Sequence, residues 1–149
     1  MPSIQDAMKS AGVVKPNPTA GSYFDEKGNL KVEFVSKANM EPMARKFAEE
    51  KLNMAQLRRF FNNCREIERR LRSNQSTFEH EQANIARLSV FAADAAGKYP
   101  PKIPRSFRDF LDKNVAMIHS KKDFVDGFMQ HFEALVGFAT LYMREERNR

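Results

Sequence analysis

From about residue 40 onward, apolar residues recur at the three- and four-residue spacing of a helix, in five segments parted by turn chemistry. The last segment is the clearest. Phe124, Phe128, Phe132, Leu135, Ala139 and Tyr142 form one stripe, with Ser120 and Asp123 placed as its cap. Ser106 stands ahead of a helix that turns Phe107, Phe110, Leu111, Val115 and Ile118 inward. Ser76 with Glu79 predicts a capping box before the set Phe78, Ile85, Leu88, Phe91, Ala92 and Ala95. Gly97 is placed to end that helix, and the run KYPPKIP keeps the chain out of helix until Arg105. Asn53 with Gln56 opens another helix, which runs to about Arg72. Pro42 fits the first turn of a helix reaching about Lys51, where its missing N–H costs nothing. Alternation of period two is almost absent, and no internal repeat is seen. The pattern predicts an all-α fold, a compact bundle of about five helices over residues 34–149.

Residues 1–33 read differently. The run VKPNPTAGSYFDEKGNL holds prolines, glycines and turn chemistry at Asp25–Asn29. It predicts an irregular N-terminal arm, with a short extended piece at Lys31–Val35.

Composition narrows the function. The chain has 149 residues, enough for one domain with a real core, and thirteen Phe with no Trp supply that core's bulk. A formal charge of +6 favours a polyanionic partner, either nucleic acid or anionic lipid. Cys64 is the single cysteine, which excludes an internal disulfide and suits a reducing compartment. No signal-peptide pattern is present at the start, and no apolar run approaches the roughly 20 residues that cross a bilayer. A cytoplasmic protein with no membrane partner is expected.

The charge is concentrated in one place. Six of the thirteen arginines fall between Arg58 and Arg72, interleaved with Leu57, Phe60, Phe61, Ile67 and Leu71. At 100° per residue, Asn62, Arg65, Arg69 and Arg72 lie within about 40° of Arg58. Leu57, Phe60, Phe61, Cys64, Ile67 and Leu71 occupy a separate face. One side is therefore available to the core and the other to solvent. The polar line 58, 62, 65, 69 and 72 spans about 21 Å, the reach of a few nucleotides of backbone. Arginine suits that use, because its planar fork donates twice to phosphate oxygens. A charged helix face is ordinarily just solvated. Here only Glu66 and Glu68 offset six arginines within the helix, and Asn62 and Asn63 add neutral donors. The apolar stripe is needed for the core, which leaves no second greasy face for a membrane.

Catalytic chemistry is not apparent. No H-E-x-x-H, Walker loop, G-x-S-x-G or EF-hand loop occurs. The HFE run at residues 131–133 lacks the C-x-x-C of a zinc deaminase. Asp109, Asp112, Asp123 and Asp126 form two pairs at i, i+3. Asp109 and Asp123 are expected at the third position of helices, where a carboxylate meets the positive end of the helix dipole. Cys64 faces the core and His119 falls at a helix end. No enzyme, metal or cofactor is expected.

Three stretches resemble one family. NMAQLRRFFNN (residues 53–63), FEALVGFATLY (132–142) and YFDEKGNLKVEF (23–34) are similar, in order and spacing, to segments of the small subunit of the type III-A CRISPR–Cas effector, the Csm complex. There are departures. A Tyr-x-x-Gly-Arg run of the family reads DAAGK at 94–98, and Gly137 and Phe138 replace an alanine and a tyrosine. The resemblance implies a non-catalytic helical bundle that serves antiviral defence. Several copies would stack beside the backbone subunits and the large signature subunit, and self-association in isolation, as a homodimer, is compatible with this. It also implies contact with target RNA independent of sequence, through Arg58, Arg65 and Arg69, with Asn62, Lys37, Lys51 and Arg59 assisting. The alternative from the residues alone is a helical scaffold or adaptor whose basic face meets acidic protein surfaces.

Overall fold

The computed structural model describes residues 21–147, so the first twenty residues of the expected arm lie outside the described residues. Five α-helices follow one another: α1 (Lys37–Glu49), α2 (Met54–Arg72), α3 (Phe78–Gly97), α4 (Arg105–Met117) and α5 (Met129–Arg147). A 3₁₀ turn, Val32–Phe34, precedes α1, and a π-helical stretch, Asp123–Phe128, leads into α5. Among the described residues no strand forms, and the all-α bundle expected from the periodicity is what the chain adopts.

α5 holds the bundle together. It packs against α1 and α2, while α3 packs against α4 and more lightly against α2. The stripe Phe124, Phe128, Phe132, Leu135 and Ala139 is fully buried. The Phe132 ring lies 5.2 Å from that of Phe61 on α2, 5.7 Å from Phe110 on α4 and 5.5 Å from Phe128. Phe107 joins the same group and meets Phe60 edge-on at 5.5 Å. Such tilted and edge-on aromatic contacts add to simple area burial.

Local chemistry explains most boundaries. Asn53 caps α2, its side chain accepting from the Gln56 N–H at 2.9 Å. α1 and α2 both end in Schellman turns, with Lys51 (φ 73°) and Asn74 (φ 59°) in the left-handed position that glycine usually fills. The Leu52 N–H reaches back to the Phe47 carbonyl at 2.9 Å, and Gln75 N–H to that of Arg70 at 3.0 Å. Ser120 caps the last helical segment by accepting from the Asp123 N–H at 3.1 Å, while Asp123 accepts from the His119 N–H at 2.9 Å.

Several expectations are corrected. α1 begins at Lys37, after extended Ser36, so Pro42 lies inside the helix and not in its first turn. Ala38 and Pro42 are both exposed, so water can reach the carbonyl that proline leaves without a donor. Thr77, not Ser76, caps α3, with its hydroxyl accepting from His80 N–H. Pro104 precedes α4, and the Ser106 hydroxyl instead donates to the Glu50 carboxylate at the end of α1. With α4 starting at Arg105, Asp109 is the fifth helical residue, two positions beyond the expected third. Phe91, expected inward, is 48% exposed, because α3 buries only a narrow arc, Glu81, Ile85, Leu88 and Ala92.

The segment before α1 is corrected too. Lys31–Val35 is not extended. Asp25 accepts from the N–H groups of Lys27 and Asn29 at 2.9 and 3.0 Å, and Gly28 takes φ 84°. That turn closes a single antiparallel bridge between Phe24 and Leu30, and the chain then coils through Val32–Phe34. The coil brings the Phe34 carbonyl to His131 Nδ1 on α5, at 2.6 Å. Tyr23 is fully buried and its hydroxyl donates to Asn114 Oδ1 at 2.7 Å. A Cβ at Gly127 would come within 2.6 Å of the Tyr23 ring, so only glycine lets the π-helical backbone approach so closely.

Charge is also buried. Arg70 on α2 grips Glu81 on α3 through two parallel hydrogen bonds, both 2.9 Å, and Asn84 donates to the same carboxylate. The Arg70 bonds and the Asn84 bond hold the Glu81 carboxyl at about 2, against burial, which acts the other way. Two outcomes are expected from this core. Phe60→Ala should lower stability by about 3–5 kcal/mol, measured by denaturant melts, since the ring is nearly fully buried. The Glu81 carboxyl has its folded pKa below its unfolded one. Its contribution is therefore full above about pH 5 and lost as the pH falls toward about 2. Over that window the wild type should lose up to about 3 kcal/mol more than Glu81→Gln, read as the difference between their acid melting series.

Candidate nucleic-acid interface

α2 turns its faces as the wheel requires. Leu57, Phe60, Cys64, Ile67 and Leu71 are buried, and Arg58, Asn62, Arg65, Arg69 and Arg72 are all exposed. Phe61 is partly buried, packing on Phe132. Burial pushes the Cys64 thiol far up, so it stays protonated and acts as a small apolar core residue.

The exposed line is not uniform. Arg65 donates to Glu68 Oε1 at 2.8 Å, reaches Glu133 on α5 at 3.2 Å, and lies over the Phe61 ring at 4.9 Å. Arg72 holds the other oxygen of Glu68 at 3.3 Å. Glu68 is itself buried, so it needs both partners. Arg69 bonds Glu66 at 3.0 Å and Gln75 at 3.2 Å. With Arg70 held by Glu81, four of the six arginines already have carboxylates. Within the helix, Glu66 and Glu68 do more than the sequence balance implied, and Glu133 enters from another helix altogether. Its role has no sequence signal, because it depends on which side of α5 faces α2.

Arg58 and Arg59 differ. Both are exposed, and among the described residues neither has a carboxylate within ion-pair distance. Asn62 follows one turn after Arg58. Arg58 and Arg59 lie in the second turn of α2. The strongest uncompensated charge is therefore at the start of the arginine line.

The other expected site residues are placed apart. Lys37 opens α1, where it pairs with Glu41 at 3.8 Å, and α1 meets α2 mainly through α5. Lys51 is exposed in the turn between α1 and α2. Arg59 sits on the flank of α2 that faces α3. There it lines a groove of about 460 Å³ with Asn63, Phe91, Asp94, Lys98 and Lys102. A second groove, of about 660 Å³, runs between α1 and α4. Its charges are mixed, with Lys46, Arg105 and Lys113 set against Glu50 and Asp109.

Among the described residues, no group of three or more His, Cys, Asp or Glu side chains is arranged to hold a metal, and no helix is long and apolar enough to cross a membrane. Asp112 pairs with Arg108 at 3.6 Å, and Asp123 serves the helix cap.

The ion pairs predict unequal roles for stability. Arg65→Ala leaves buried Glu68 with Arg72 alone, and should lower stability by about 1–3 kcal/mol. Arg58→Ala removes no ion pair among the described residues and should stay within about 0.5 kcal/mol of the wild type. Thermal melts of the two variants side by side check the contrast.

Comparison with curated proteins matches nothing, and neither does comparison with solved structures. Residues 31–145 match the family described as Csm2 Type III-A, a span that takes in the 3₁₀ turn, α1 to α4 and all but the last two residues of α5. The bundle and its arginine-lined helix thus sit within the matched span, and the chain belongs to the Csm2 family, the small subunits of the type III-A CRISPR–Cas Csm effector complex.

Proposed function

We propose that this small subunit binds target RNA along its backbone through the exposed face of α2, without catalysis and without reading sequence. The observation that carries the reading is the pair Arg58 and Arg59, exposed and, among the described residues, without carboxylate partners, on a helix whose other face is locked into the core. Asn62 extends the contact; Arg69 joins it by exchanging its exposed Glu66 contact for phosphate, and Arg65 by exchanging its exposed Glu133 contact while it keeps buried Glu68. Lys51 and Lys37 lie further out. Family membership implies association with the other type III-A subunits. In that setting several copies stack along the complex, self-associate, and present successive α2 faces to one strand. Each copy then needs only modest affinity, since linked contacts multiply. The setting is cytoplasmic antiviral defence.

A second reading has its own support. Arg65, Arg69 and Arg72 already hold carboxylates, so the same face is chemically suited to acidic protein surfaces, as in a scaffold.

Salt dependence separates the two. Phosphate contacts release counterions, so each one lost from a single strand should flatten log K against log salt by about 0.7. The double change Arg58→Ala with Arg69→Ala, in the complex assembled with its partner subunits, should reduce the slope by about 1.4 and weaken all RNA sequences alike. An unchanged slope, with assembly impaired instead, would move the scaffold reading to first place.

A further inference from the structure

The groove between α2 and α3 combines features that backbone binding does not require. Phe91 exposes 48% of its surface at its edge, an unusual position for a large aromatic residue in a chain that buries most of its phenylalanines. Its floor includes buried Phe60. Arg59 enters from α2, and Lys102 from the loop after α3. Among the described residues neither side chain has an ion-pair partner. The Lys102 backbone N–H donates to the Ala95 carbonyl oxygen at 2.9 Å, which fixes the loop against α3. Lys98 is neutralised by Asp94 at 3.3 Å, so the uncompensated charge of the groove comes from Arg59 and Lys102. Gln56 and Asn63 complete the wall with amides that both donate and accept.

We propose that this groove seats one unstacked nucleotide of single-stranded RNA, its base against the Phe91 ring and its flanking phosphates on Arg59 and Lys102. The inference rests on the RNA-binding reading above and adds a base-stacking subsite to it. An aromatic face flanked by two cations matches the combination that grips single strands without sequence preference, because every base has a π-face. The volume of about 460 Å³ falls within the range of small-ligand pockets. Charge complementarity decides the occupant: two unpaired cations beside an exposed ring suit a nucleotide, whereas an apolar helix from a partner would leave both cations facing hydrocarbon.

The test uses the full chain at low salt, titrated with a fluorescein-labelled oligoadenylate and with a labelled abasic ribose-phosphate oligomer of equal length. The wild type should bind the base-bearing oligomer more tightly. Phe91→Ala should weaken that binding by about 5–150-fold, bring it to the level of the abasic oligomer, and leave the salt slope unchanged. Phe91→Tyr should retain binding, while Phe91→Leu, which keeps apolar bulk without the π-face, should not. Arg59→Ala and Lys102→Ala should each flatten the slope by about 0.7. Equal binding of both oligomers by the wild type would overturn the subsite, as would wild-type affinity in Phe91→Ala. A Phe91→Ala variant that changes only the sedimentation of the chain would overturn it too, and would mark the groove as a contact between copies. If Arg58→Ala with Arg69→Ala flattens the slope while the Phe91 variants match the wild type, backbone binding stands and the subsite alone fails. If the chain binds neither oligomer at low salt, the subsite fails, and backbone binding is decided by the salt slope of the assembled complex.

Discussion

The ring of Phe132 meets aromatic side chains from α2, α4 and the π-helical lead into α5, and the bundle closes around it. Those contacts fix more than stability. Phe61 and Phe60 can pack on Phe132 and Phe107 in only one rotation of α2 about its axis. That rotation sends Arg58, Asn62, Arg65, Arg69 and Arg72 outward. The charged surface is thus a consequence of aromatic packing on the far side of the same helix. A small turn of α2 would expose phenylalanine and bury guanidinium, both of which cost far more than surface charge contributes.

Charge is then sorted along the helix. Toward the C-terminal end, Glu66, Glu68, Glu81 and Glu133 hold four arginines in fixed geometries. In the second turn, Arg58 and Arg59 stand without such partners among the described residues. An anion approaching this face meets free cations first and must displace carboxylates to move further along it. The arginines are therefore unequal as ligands: those at the start are available, and those at the end also support the fold.

The segment ahead of α1 belongs to this architecture. The family match begins at residue 31, yet Tyr23 is fully buried and hydrogen-bonded to Asn114 across the bundle. Gly127 allows that approach, and the same backbone forms the π-helical turn. The anchor couples the turn at Asp25–Asn29 to the base of α5, and Lys122 extends it by lying over the Phe24 ring at 4.3 Å.

The sequence by itself determined what depends on near neighbours in the chain. Helical periodicity, the Asn53 and Ser120 caps, the stop at Gly97, the turn at Asp25 and the two-faced character of α2 all follow from residues within a few positions of one another. The resemblance to the Csm small subunit was readable for the same reason, in short ordered runs. Tertiary structure alone decided the rest. Whether Phe91 is core or surface depends on how many helices cover α3, and periodicity cannot count them. Arg65 pairs with Glu68 three residues on, but its second carboxylate, Glu133, lies sixty-eight positions away and meets it only where α5 packs on α2. Tyr23 looked like part of an irregular arm, because nothing near it signals the space left by Gly127. Local pattern fixes which face of a helix is apolar. Which neighbours that face meets, and which charges are thereby satisfied, is fixed only when distant segments share one core.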